Sequence, residues 1–186
     1  MPVTPSHRNL ELKVVVPPDR FEGMVERARA LACGPVEHLW QVDTYFAVIR
    51  GRLKLREFRA GSNPAEVMRG ELIAYQRSDE AGSRWSGYEV VPVAGADVQA
   101  MLRALSMTHE ELVTVDKQRL VVVTGHTRVH LDRVKGLGTY AELETVIAGQ
   151  SDEAAAREHQ EVITALGFAG LDVVAGSYSD LALASR

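Results

Sequence analysis

A chain of 186 residues with 46% hydrophobic and 25% charged content is long enough to bury the core of one domain without metals or disulfides, and its composition excludes disordered, collagenous and repeat architectures. Its net charge of −4 argues against bulk electrostatic binding to nucleic acid or to an anionic membrane. The single cysteine, Cys33, excludes an internal disulfide and a cysteine zinc cluster. With no apolar leader and no run near ~18 apolar residues, the expected location is the cytoplasm.

Residues 9–16, NLELKVVV, alternate as a strand and stop at Pro17-Pro18, which offer the ladder no donors. Asp19 is the expected N-cap of a helix whose Phe21, Met24, Val25, Ala28 and Leu31 share a face, with Gly34-Pro35 as its stop. Two strands, LWQVDTYFAV (39–48) and GRLKLREF (51–58), flank Ile49-Arg50-Gly51 as a hairpin or kinked pair. A loop is expected over 59–70, then the strand ELIAYQR (71–77), a second loop over 78–87, and the strand YEVVPV (88–93). ADVQAMLRAL (96–105) has helical spacing, and three strands follow in series from Leu112 to Ile147, the last two joined by a glycine turn at 136–138. Ser151 caps a helix that carries Ala155, Val162, Ile163 and Leu166 on one side and stops at Gly167. The tail from Gly176 is too short to assign. These elements predict an α+β domain spanning 1–186, an antiparallel sheet of about eight strands with helices outside it.

On a strand, residues two apart share a face. Asn9, Glu11 and Lys13 alternate with Leu10, Leu12 and Val14; Arg52, Lys54 and Arg56 alternate with Leu53 and Leu55. Tyr75 and Arg77, then Lys117 and Arg119, then Arg128, His130 and Asp132, then Glu142 and Glu144 repeat the pattern. A solvated face of an antiparallel sheet accounts for any one of these strands, but not for signs segregated across six. Eight cations (Lys13, Arg52, Lys54, Arg56, Arg77, Lys117, Arg119, Arg128) face four acids (Glu11, Asp132, Glu142, Glu144). If those faces converge inside a closed sheet, the surplus needs a counterion. A polyphosphate answers that need: Arg and Lys clamp its oxygens while the carboxylates hold Mg²⁺ or Mn²⁺. No P-loop occurs, GLG at 136–138 lacks dinucleotide-fingerprint spacing, and His126 and His130 stand too far apart on a strand to share a zinc.

NLELK resembles the ExExK opening of CYTH domains, the triphosphate tunnel metalloenzymes. DTYF with GRLKLR, LIAYQR, VDKQR, VHLDRVKGLG and YAELE follow in that family's order, from about residue 8 to 147, leaving the helix and tail of 151–186 outside. The resemblance implies an eight-stranded antiparallel β-barrel, a tunnel that binds a triphosphate and uses Mg²⁺ or Mn²⁺. It places Glu11, Asp132, Glu142 and Glu144 on metal and the eight cations on phosphate, with Glu11, Lys13 and Glu142 as catalytic groups. LDRVKGLGTYAELE is most similar to the class IV adenylyl cyclase branch, which makes cyclic AMP and pyrophosphate from ATP; a phosphohydrolase of a nucleotide or other polyphosphate ester, or a non-catalytic polyanion-binding module, would use the same groups. The expected partner is a small-molecule phosphate ester, with neither nucleic acid nor membrane, and exposed apolar strands leave a homodimer open. Asn9 replaces the first Glu of the signature, which removes one charge from the metal site.

Overall fold

Alternating charged and apolar residues produce a sheet that closes on itself with its apolar side outward. The computed structural model describes residues 6–63, 65–77 and 82–186. It contains strands β1 (His7–Val15), β2 (Glu37–Phe46), β3 (Arg52–Arg59), β4 (Val67–Arg77), β5 (Arg84–Ala94), β6 (Glu111–Thr124), β7 (Thr127–Val134) and β8 (Gly138–Val146). Helices α1 (Pro18–Ala30), α2 (Gly95–Ser106), α3 (Asp152–Leu166) and α4 (Tyr178–Ala184) pack outside its wall. The strands form a closed antiparallel barrel in the order β1-β5-β4-β3-β2-β6-β7-β8. Closure leaves no open sheet edge among the described residues.

The hydrophobic core lies between the barrel and its helices. Leu12, Val14, Leu120, Val122, Val129, Leu131 and Leu143 point outward onto Phe21, Met24 and Ala28 of α1 and Val162 and Leu166 of α3. Phe46, Leu55 and Val93 meet Val98 of α2 in the same way. The outer face is therefore the one that drives collapse.

Several boundaries differ from expectation. The N-cap position of α1 is Pro17, with Pro18 in the first turn, and Asp19 lies inside that turn. Proline's fixed φ and missing N–H suit the helix start, while the Asp19 carboxylate favours the positive end of the dipole from within. Ser151 does cap α3, accepting a bond from the Ala154 amide at 3.2 Å, and Gly167 ends it at φ 70°. The expected loop at 59–70 is shorter, because β4 starts at Val67. Gly70 is a strand residue: a Cβ there would stand 2.6 Å from Val98 Cγ2 and 3.0 Å from the Arg56 carbonyl, so glycine lets α2 lie close on the sheet. The second loop also shrinks, since Arg84 to Gly87 pair with β1; residues 78–81 of it lie outside the described residues.

The tail folds as α4, held at its start by a capping box between Ser177 and Asp180. The segment before it is tied to β1 through a bond from the Val174 amide to the Lys13 carbonyl at 2.9 Å.

Candidate active site inside the barrel

Inward-facing side chains from all eight strands line one cavity of ≈ 590 Å³. At one end the α4 segment lies across it. Tyr178 donates to Asp132 Oδ2 at 2.6 Å, and its ring lies 4.0 Å from Lys13 Nζ. Tyr45, Val113, Tyr140 and Val174 pack around Tyr178.

A basic cluster is built around a carboxylate on β2. Gln41, Asp43 and Tyr45 take the inward phase of that strand while Val42 and Phe46 are core. Asp43 is fully buried and accepts from Lys54 Nζ at 3.0 Å, from Arg56 Nε at 2.7 Å and Nη2 at 3.0 Å, and from Lys117 Nζ at 2.6 Å. Burial alone would raise its carboxyl, but Arg56, Lys117 and Lys54 outweigh burial and hold it well below the usual range. Three cations on one carboxylate leave a local surplus of positive charge. Burial, reinforced by Arg56, pushes Lys54 down to about 8. Burial pushes Lys117 down to about 7, the adjacent Arg56 and Lys54 opposing the pull of Asp43.

The acidic side is built from β7 and β8. Register sets Lys13 opposite Glu142 and Glu11 opposite Glu144, and His130 opposite Glu142. Glu142 bridges Lys13 Nζ at 3.1 Å and Arg119 Nη2 at 2.9 Å; Glu144 pairs with Arg128 Nη2 at 3.1 Å. Burial opposes ionisation of both carboxyls, yet Lys13, His130 and Arg119 hold Glu142 well below its ordinary value, and His130 and Arg128 hold Glu144 down. Burial and then Arg119 push His130 down, while Glu144 and Glu142 pull the other way. One ligand atom each from His130, Glu142 and Glu144 lies within 4.8 Å of the others, and His130 Nδ1 is buried with no hydrogen-bond partner. Two ionised carboxylates and an imidazole with an unused nitrogen suit a divalent cation, Mn²⁺ by its tolerance of nitrogen or Mg²⁺ keeping waters.

The barrel thus brings Glu11, Lys13, Lys54, Arg56, Lys117, Arg119, Arg128, Glu142 and Glu144 onto one cavity. Asp132 stands apart from the acidic cluster: both oxygens are taken by Arg119, at 2.7 and 2.6 Å, with Tyr178 on the second. Arg52 is placed at the α4 end and pairs with Asp180 Oδ2 at 2.9 Å. Arg77 closes β4, and its side chain lies outside the described residues. Asn9 lines the cavity with its Oδ1 buried and unpartnered. Asp43 and Tyr178 are the groups missed from sequence. Asp43 could have been found by the same alternation, Gln41, Asp43, Tyr45, within LWQVDTYFAV; Tyr178 follows the last periodic segment and carried no such signal. With Asp43 and Asp180 counted, the cations are more nearly compensated than the strands alone suggested.

Comparison with known proteins comes to the same architecture. The CYTH domain family matches residues 7–178. The fold is similar to that of a conserved hypothetical protein from Pyrococcus furiosus, at 21% identity and TM-score 0.73, over 93% of this chain and 99% of that one. It is also similar to a putative adenylate cyclase from Vibrio parahaemolyticus, at 22% identity and TM-score 0.59, over 94% and 97%. A putative adenylyl cyclase from Hippeastrum, described with a dominant triphosphatase activity, aligns at 12% identity and TM-score 0.62 over 95% and 94%. No curated protein matches the sequence.

Proposed function

Because the chain belongs to the CYTH domain family, we propose that it is a divalent-metal-dependent phosphoryl-transfer enzyme whose substrate is a polyphosphate ester held inside the barrel. The observation that carries this reading is the convergence of Lys13, Lys54, Arg56, Lys117 and Arg119 with Glu142, Glu144 and His130 on one cavity. A polyphosphate chain is the anion for such a surface: each phosphate offers several acceptors to the arginine forks and to the lysines.

Lys54, Arg56 and Lys117 share the Asp43 carboxylate, with Glu71 at 4.0 Å from Arg56 as a second, looser partner, so they have donors left for phosphate oxygens. Their side chains are mostly buried, and water around a bound phosphate would be largely excluded, which strengthens those contacts. Arg119 is fixed by Asp132 and also reaches Glu142, placing a guanidinium between the cationic and acidic halves, where charge builds on a leaving phosphate. Glu142, Glu144 and His130 would hold the metal ion, which when bound supplies charge neutralisation at the phosphate oxygens. Glu142 can accept from Lys13 and Arg119 and still ligate, because an ionised carboxylate has about four acceptor sites. Glu11 lines the same wall opposite Glu144 and is the carboxylate that orients an attacking hydroxyl.

That hydroxyl is water in a hydrolase and the ribose 3′-hydroxyl in a cyclase. Incubation with ATP and Mn²⁺, then with tripolyphosphate and Mn²⁺, separates them: orthophosphate marks hydrolysis, cyclic AMP with pyrophosphate marks cyclisation. No turnover and no binding of either compound would refute the reading. Glu142→Gln should lower kcat by about 10²-fold or more while tripolyphosphate still raises the melting temperature; unchanged kcat would overturn its assignment.

A further inference from the structure

The inward face changes character along the barrel. From the α4 end toward the opposite mouth, β6 presents Lys117 and Arg119, then Val121 and Val123; β3 presents Lys54 and Arg56, then Phe58; β8 presents Glu142 and Glu144, then Val146. On β2, Asp43 and Gln41 give way to Leu39, and on β5, Ser86 and Tyr88 give way to Val90. Five strands make the same change, so Leu39, Phe58, Val90, Val121, Val123 and Val146 form a partial apolar collar outside the charged band; it is interrupted by Asn9 and His7 on β1, by Glu71 and Arg69 on β4 and by Arg128 on β7, and Glu37 follows Leu39 at its rim. Exposure rises in the same direction, from 8% at Val121 to 39% at Val123.

Cations near this mouth are already engaged. Arg128 pairs with Glu144 at 3.1 Å and donates to Tyr88 Oη at 3.2 Å. Arg69 donates to Glu71 at 2.8 Å and covers the Phe58 ring at 3.3 Å from its centroid. Ribose hydroxyls and base edges turned against the aliphatic part of this wall would lose hydrogen bonds to water without replacement, whereas a hydrocarbon group loses none; Asn9, His7, Glu37 and Glu71 offer polar partners beside it. At ≈ 590 Å³ the cavity also falls within the roughly 300–1,000 Å³ of sites that enclose a whole organic ligand.

We propose that the substrate is an amphipathic polyphosphate ester, its phosphates on the charged band and a hydrocarbon group, alkyl, prenyl or aryl, within the collar. This rests on the phosphoryl-transfer reading above and narrows it. Such an ester has no ribose hydroxyl, so water is the attacking group: its oxygen bonds to phosphorus, the bridging P–O bond breaks with its electron pair on the departing phosphate, and a proton passes to solvent.

The test is calorimetric binding, with Mg²⁺, of three probes: tripolyphosphate, ATP and n-octyl triphosphate. Octyl triphosphate should bind about ten-fold or more tighter than ATP, the gain expected from burying a chain of methylenes. Val121→Asn and, nearer solvent, Val123→Asn should each shrink the affinity ratio of octyl triphosphate to tripolyphosphate by about three-fold or more. ATP binding as tightly as octyl triphosphate, or an unchanged ratio in both variants, overturns the collar proposal while tripolyphosphate binding leaves the phosphate site standing. Failure of all three probes to bind overturns both.

Discussion

Asp43 is the carboxylate around which Lys54, Arg56 and Lys117 are arranged, and its removal should show how much of the barrel depends on that arrangement. Asp43→Asn leaves Lys54, Arg56 and Lys117 facing one another within a buried space. Breaking a buried pair from one side costs about 3–5 kcal/mol, so a clear fall in melting temperature is expected. Tripolyphosphate should then raise the variant's melting temperature by more than it raises the parent's, because the anion supplies the missing negative charge; equal increments would contradict the role assigned to Asp43. At this scale the sequence was informative wherever charge alternated with Leu or Val, as at Lys54, Arg119 or Glu142. It was silent on which acid neutralises which base. Asp132 illustrates the difficulty: its strand position resembles that of the other inward acids, yet Arg119 and Tyr178 occupy its oxygens, and only the spacing of neighbouring strands decides that.

Elements were legible to the extent that their signals were local. All eight strands and three helices follow from periodicity, whereas α4 has only seven residues, too few for a helical period to stand out. Its stability comes from the capping box and from packing on β6 and Tyr140 rather than from propensity. The N-terminal part of β4 was obscured for a different reason: Gly70 reads as a breaker along the chain but serves as clearance for α2 in space. Gly70→Ala should destabilise the protein by about 1–3 kcal/mol through overpacking against Val98. Val98→Ala in the same chain should recover a good part of that loss, read by denaturant midpoints. Additive rather than compensating effects would show that α2 and β4 are not in the contact described.

For the molecule as a whole, a net charge of −4 says nothing of the cations buried inside the barrel, and pH acts on them through two lysines. Lys54 and Lys117 titrate at about 8 and about 7, below the ~10.4 of an ordinary lysine. Both hold fewer protons folded than unfolded between about pH 7 and pH 10, so their contribution to stability rises with pH across that window and is lost as pH falls through it. A bound polyanion reverses the depression. Tripolyphosphate binding should therefore take up protons near pH 8, visible as a dependence of the calorimetric enthalpy on buffer ionisation, and its affinity should fall from about pH 7 to about pH 9. Absence of proton uptake at pH 8 would show that these two lysines are not among the phosphate ligands.

The outward core and inward charge have one more consequence, for folding. Each strand is one residue thick, so Leu12 and Lys13, or Arg119 and Leu120, are neighbours in the chain but belong to opposite environments. Sliding a strand by one position would turn Lys13, Lys117 and Arg119 into the helix-packed layer and expel Leu12, Leu120 and Val122 into the cavity, an exchange penalised on both faces at once. The charged groups that face the cavity are thereby also the ones that forbid mispairing of the wall, and sequence changes that neutralise them should loosen the uniqueness of the barrel.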